Sequence, residues 1–171
     1  MSEFILIVIL PRRGSRLVYN VSSKIYSARS PMIQTPFLAV DGIVEIYSDE
    51  GAFQGIVLIE RLNRPIGLAL PGGFVDIGES VESAVMREMK EEISLDVTIK
   101  SLLGVYSDPK RDSRFHCVSI VYVCKAFGTP MGADDAKEAF VYRLDDIPYD
   151  KLVFDHAEII RDYCITKYER T

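Results

Sequence analysis

An α/β sandwich is the fold class that this sequence predicts, and three observations carry the prediction. Short runs rich in Val, Ile and Leu, each bounded by turn residues, recur along the chain and read as strands. One central segment switches to a four-residue apolar period, the stripe of an amphipathic helix. A second helical stretch closes the chain. Strands on both sides of a central helix, with another helix at the end, pack as a layered α/β domain.

Composition bounds the possibilities. The 171 residues suit one domain with room for a core, and 48% hydrophobic with 26% charged residues is ordinary for a globular chain. A net charge of -5 argues against broad electrostatic binding to DNA, RNA or anionic membrane, so neither a nucleic acid nor a membrane is an expected partner. An acidic chain can still take an anionic small molecule if a metal ion bridges the two. Cys117, Cys124 and Cys164 form no CxxC pair, and neither His116 nor His156 has zinc-ligand spacing. Free packing thiols fit a reducing compartment, so a cytoplasmic location is expected.

Residues 1–34 form a loosely patterned extension. Its apolar run Phe4 to Leu10 is too short to span a bilayer. Glu3 precedes the run and Pro11-Arg12-Arg13-Gly14 follows it, which is unlike a signal peptide, so the run reads as an extra strand or, alternatively, as leader sequence of uncertain start. Residues 35–171 form the main domain. Strands are expected at Phe37–Tyr47, at Ile56–Arg61 and, briefly, at Leu68–Leu70 before Pro71-Gly72-Gly73. From Ser80 to Ile93, Val81, Val85, Met89 and Ile93 recur every four residues with Ala84 alongside, and Glu79-Ser80 suits a helix start. Further strands are expected at Val97–Tyr106, His116–Phe127 and Ala139–Leu144, and Phe154–Tyr168 reads as the closing helix.

The central helix carries the chemistry. Glu88 and Glu92 continue the sector that Val81, Ala84 and Val85 occupy earlier, and Glu91 stands beside them. Like charges at this spacing destabilise a helix. Arg87 and Lys90 lie off that sector, so the acids do not read as simple pairs along the helix. Two readings follow: a solvated acidic helix end, or a site for a hard divalent cation such as Mg²⁺ or Mn²⁺. The glycines of the preceding loop let backbone atoms approach a ligand, and Glu79 can reach toward the same place.

From Gly73 to Leu95 the chain reads GFVDIGESVESAVMREMKEEISL, which closely resembles the Nudix box. That pattern is Gly, five residues, Glu, seven residues, Arg-Glu, an aliphatic, any residue, Glu-Glu, any residue, Gly and an aliphatic. Gly73, Glu79, Arg87, Glu88, Met89, Glu91, Glu92 and Leu95 match it; Ser94 stands where the family has glycine. The resemblance implies a Nudix α/β/α sandwich with a mixed central sheet. It also implies hydrolysis of a nucleoside diphosphate linked to another group, with Mg²⁺ or Mn²⁺ as cofactor. Carried over residue by residue, Glu88, Glu91 and Glu92 are the metal carboxylates and the carbonyl of Gly72 a further ligand. Arg87 orients Glu88. The general base is Glu88 or an acid of the loop before the last strand, where Asp135 comes first and Glu138 next.

The resemblance extends over about residues 35 to 165 and points to the ADP-ribose pyrophosphatase branch, through Thr35-Pro36-Phe37, Gly104-Val105-Tyr106 and Phe154-Asp155-His156 among others. In that branch a proline follows the box, and Pro109 is the match, somewhat early. Arg61, Arg64, Arg111 and Arg114 are candidates to grip phosphate or ribose, each weighed against a solvated surface arginine. Tyr106 or Phe115 can stack on adenine. The expected reaction converts ADP-ribose to AMP and ribose 5-phosphate. Its rivals are an oxidised nucleoside triphosphate pyrophosphohydrolase and a non-catalytic sensor of ADP-ribose-type ligands. Branch members are often homodimers that share N-terminal strands, so a homodimer using 1–34 is expected.

Overall fold

Eight consecutive residues of strand β1 (Phe37–Tyr47), from Ala39 to Ile46, are buried, because both faces of the sheet around it are covered. The computed structural model describes residues 34–133 and 136–168, nearly all of them in the compact unit Thr35–Thr171. Apart from its last residue, the expected extension over 1–34 lies outside the described residues, and so does Asp135.

The other strands are β2 (Phe53–Arg61), β3 (Leu68–Ala69), β4 (Gly72–Phe74), β5 (Thr98–Tyr106), β6 (Cys117–Phe127) and β7 (Ala136–Tyr142). Helix α1 covers Val81–Ile93, and α2 covers His156–Tyr168. The sheet order is β3-β2-β1-β6-β5, with β4 beside β1 and β7 beside β2. Among the described strands the β1–β6 pairing is parallel, from Phe37↔Cys117 to Tyr47↔Phe127, and the other strand pairs are antiparallel, so the sheet is mixed.

Period-two alternation sorts the core into two layers. Val40, Val44, Val57, Ile59, Tyr122 and Cys124 pack with Ala84, Val85, Met89 and Ile93 of α1. Ile43, Ile56, Leu58, Val121 and Val123 pack with Ile159, Ile160 and Tyr163 of α2. Each fully buried Ile or Met contributes about 1.5–3 kcal/mol through burial. At Gly42, α1 comes so close that an added Cβ would lie 2.8 Å from Met89 Sδ. Among the described residues, no helix is long and apolar enough to cross a membrane.

Several boundaries differ from expectation. β2 starts three residues before Ile56, across Gly55, which interrupts the sequence pattern. The expected strand at Ala139–Leu144 runs instead over Ala136–Tyr142, with a mostly exposed face that hides it in sequence. The closing helix starts at His156, because Phe154 adopts a left-handed φ of 58° that no helix accommodates. Gly72–Phe74 forms a short strand where only a loop is expected; it pairs with Ala39–Asp41. That pairing sets the site, since β4 and β2 share one edge of β1 and part from each other along it.

Candidate active site

Ser80 caps α1, its hydroxyl accepting from the Ser83 amide at 3.2 Å, and this fixes the helix start. The stripe that buries Val85 and Met89 then carries Glu88 and Glu92 inward against β4. Glu92 is 4% exposed, and its Oε2 accepts the Gly72 amide at 2.8 Å. The Glu88 carboxylate lies against Gly73, where an added Cβ would come within 2.5 Å of it. One helix carboxylate thus bonds the first glycine of β4 and the other packs against the second. Glu91, a step further round the helix, stays nearly half exposed.

Electrostatics follow from this burial. Burial pushes the Glu92 carboxyl up to about 8; the Gly72 amide draws it down, while the charges of Glu88 and Asp41 raise it further. Glu88 is also raised, first by burial and against the pull of Arg87. Arg87 pairs with Glu88 and Glu91, which the helical wheel alone leaves without a partner. Its guanidinium bonds Glu79 through Nε (2.9 Å) and Nη2 (2.9 Å), and Glu88 (2.7 Å) and Glu91 (2.9 Å) through Nη1. Nη2 also donates to the Phe74 carbonyl. A helical wheel places the Cβ of Arg87 off the acidic sector, but its long stem reaches back. Glu79 therefore holds Arg87, and that bond keeps its carboxyl below the usual range.

These groups open into a cleft of about 470 Å³. Arg61, Gly72, Arg87, Glu88, Glu91, Glu92, Arg111 and Arg114 line it, together with Asp41, Asp112, Phe74, Phe154 and His156. Glu79, Arg64, Pro109 and Glu138 do not line it. Pro109 sits in an exposed turn, Arg64 is exposed, and Glu138 is an exposed β7 residue opposite Glu60. Arg111 is no surface arginine: its side chain is 5% exposed, bonded twice to Asp155 (2.7 and 2.8 Å) and 3.7 Å from Asp41. Arg114 is gripped by buried Asp112 and lies over the rings of Phe115 and Phe154, at 4.8 and 5.2 Å. Phe37, Phe74 and Phe115 meet at the rim with centroids 4.9 to 5.8 Å apart. A neighbouring hollow of about 580 Å³, which includes Tyr106, shares Arg111 and Phe154 with the cleft. Asp41 and Asp112 take no role in the sequence reading: Asp41 meets Ser119 and Arg111 far along the chain, and Asp112, although its partner Arg114 is only two residues on, carries no local pattern that marks it as buried.

A divalent cation fits the chemistry of Glu88 and Glu92, two carboxylates with raised affinity for protons that line a cleft also holding arginines. Among the described residues, no three His, Cys, Asp or Glu groups converge on one point. Arg87, bridging Glu88 and Glu91, supplies the positive charge between them instead.

The NUDIX domain pattern matches residues 36–163. The chain is 51% identical over 131 residues to an ADP-ribose pyrophosphatase of Methanocaldococcus jannaschii, covering 75% of this chain and 73% of that protein. Among solved structures, a MutT/nudix family protein from Enterococcus faecalis superposes with a TM-score of 0.66 at 31% identity, over 77% of this chain; the chain spans 62% of that protein. A bifunctional NMN adenylyltransferase/ADP ribose pyrophosphatase from Francisella tularensis, solved with AMP and a manganese ion, gives 0.66 at 25% identity, over 80% of this chain and 43% of that one.

Proposed function

The chain belongs to the Nudix family and is one of its pyrophosphohydrolases, and from that premise we propose that it hydrolyses ADP-ribose to AMP and ribose 5-phosphate. One observation carries the choice: a single cleft is lined both by helix carboxylates and by arginines and phenylalanines. A ligand that is part pyrophosphate and part nucleoside matches both kinds of lining. The ADP-ribose pyrophosphatase relative at 51% identity supports the same reading.

Nudix hydrolases generally use divalent metals, and in this proposal Glu88, Glu91, Glu92 and the Gly72 carbonyl hold Mg²⁺ or Mn²⁺. Such an ion neutralises phosphate charge and makes water a stronger acid. Arg87 orients Glu88 and Glu91, and Glu79 orients Arg87. Arg61 and Arg114 face the phosphates, while Arg111, held by Asp155, gives the cleft a fixed positive floor. Phe74, Phe37 and Phe115 offer the adenine a stacking face. Arg64, Pro109 and Glu138 stand beyond the cleft lining and keep at most an outer part in this reading. The base is Glu88 or Asp135. Amides of Met131 and Ala133 bond the last carbonyls of α1 at 3.0 Å, which anchors the loop leading to Asp135 at the carboxylate helix. Replacing Glu88 by Gln and Asp135 by Asn in turn separates the two.

The proposal also takes 1–34 as an extension ahead of a hydrolase domain at 35–171, since the family match begins at residue 36. It places the enzyme in the cytoplasm, in keeping with its three free thiols, as a homodimer that light scattering would test. The deciding experiment is product analysis with Mg²⁺ and a panel of ADP-ribose, ADP-glucose, NADH, diadenosine polyphosphates and oxidised dGTP. AMP appearing chiefly from ADP-ribose is the expected result. Pyrophosphate released chiefly from oxidised dGTP would replace the substrate and keep the site. ADP-ribose bound without turnover would make the protein a sensor.

A further inference from the structure

Three consecutive residues, the last of them Gly72 of the candidate cation site, are each pinned by a different element. The Leu70 amide donates to His156 Nδ1 of α2 at 2.8 Å, across 86 residues of chain. The Pro71 carbonyl accepts from the Gly42 amide of β1 at 2.9 Å. The Gly72 amide donates to Glu92 of α1 at 2.8 Å. Of the three clamps, His156 alone acts from the far layer of the sandwich, and it is 3% exposed.

The bond fixes the imidazole. Because Nδ1 accepts from Leu70, the ring proton sits on Nε2, which faces Asp41 Oδ1 at 3.8 Å. Asp41 closes the circle: an added Cβ at Gly72 would lie 2.6 Å from that same Oδ1. Its other oxygen accepts from the Ser119 hydroxyl and faces Arg111, which Asp155 holds. His156 therefore touches both sides of Gly72, the chain before it through Leu70 and the carboxylate behind it through Asp41. A side chain of this kind, one shell out from candidate ligands, sets where they stand.

We propose that His156 is a positioning residue that holds Gly72 in register with Glu92 and thereby sets the affinity for the divalent cation. It contacts no reacting atom. The inference rests on reading Gly72, Glu88 and Glu92 as the cation site, and its test keeps the two apart. Mn²⁺ is titrated into the full chain without substrate, and free Mn²⁺ is read by electron paramagnetic resonance. His156→Leu removes the acceptor and keeps the bulk; binding weakens about 10–100-fold. His156→Asn places an amide oxygen near the Nδ1 position and restores most of the affinity. In turnover, the cation concentration for half-maximal rate rises in the Leu variant, while the rate at saturating cation stays within a few-fold of wild type. If the Leu variant does not fold, His156→Gln serves in its place, since its longer amide faces Asp41 and leaves Leu70 without an acceptor. Equal Mn²⁺ affinity in wild type and the Leu variant, or in the Gln and Asn variants, overturns the role of His156. A wild-type protein that binds no Mn²⁺ overturns the cation site and this inference with it.

Discussion

Two buried glutamates, Glu45 and Glu92, are nearly equally shielded from water at 2% and 4% exposure, yet they behave in opposite ways. Burial raises both. Around Glu45 that effect is overcome by bonds from Lys100, Tyr163, Lys167 and Tyr47, and the carboxyl is held down at about 2. Around Glu92 the Gly72 amide and the more weakly felt charge of Arg61 oppose burial, while Glu88 and Asp41 add like charge, and the carboxyl stands at about 8. A structural carboxylate comes with its own cations. Glu92 is buried among other acids in a cleft, an arrangement suited to a cation supplied from outside.

The largest expected effect is therefore at Glu92→Gln. Gln keeps an acceptor for the Gly72 amide and loses the charge. Turnover falls by more than about 100-fold, past the range for outer-shell partners. The folded value of about 8 lies above the ordinary 4.5, so the fold favours the protonated acid. That contribution is complete below about 4.5 and is lost as pH rises through about 8. In cation-free buffer the variant thus melts with wild type at pH 5 and above it at pH 9. Near-normal turnover, or melting curves that never separate with pH, would erase the contrast with Glu45.

Glu45→Gln sharpens the comparison from the other side. It strands Lys100 and Lys167 beside Tyr163. For a fully buried pair the loss is about 3–5 kcal/mol; these lysines remain 41% and 29% exposed, which reduces it to about 2–3 kcal/mol. Chemical denaturation measures this directly, and activity per folded molecule stays at the wild-type level. Here the sign reverses. The folded value of about 2 lies below 4.5, so the stabilisation is present above about 4.5 and lost as pH falls through about 2. The gap between wild type and variant should close toward pH 2; a constant gap would mean that shape, not charge, holds Glu45.

Sequence pattern revealed one of these glutamates far better than the other. Glu92 belongs to a local motif whose spacing, read on a helix, brings Glu88 and Glu92 to one face, and α1 begins after the expected Ser80 cap. The long strands were legible for the same reason, since two covered faces demand unbroken apolar runs. What stayed hidden depends on distant pairing. β4 is three residues, Gly-Gly-Phe, with no strand signature of its own; Ala39–Asp41 makes it a strand. Arg111 could be read as a phosphate grip or as a surface arginine but not as a buried pair, because Asp155 lies 44 positions away. Glu45, with partners at 100, 163 and 167, gave no sign in sequence of being the hub of a buried network.

Ser94 tests how far local spelling matters where no charge is at stake, and its effect is the smallest. It stands where the Nudix box has glycine, and it takes the left-handed conformation that glycine adopts freely, at φ 59° and ψ 24°. A Cβ in that conformation costs about 1 kcal/mol, partly offset because glycine loses more freedom on folding. Ser94→Gly should therefore stabilise the fold by about 0.5 kcal/mol, a rise of roughly 1–2 °C in melting temperature for a chain of this size. The carbonyls of Glu92 and Ile93 keep their bonds from Ala133 and Met131, so turnover is unchanged. A destabilised variant would show that the serine side chain, rather than its backbone conformation, secures the end of the helix. The departure from the family pattern would then be a second solution to ending the helix instead of a small tolerated strain.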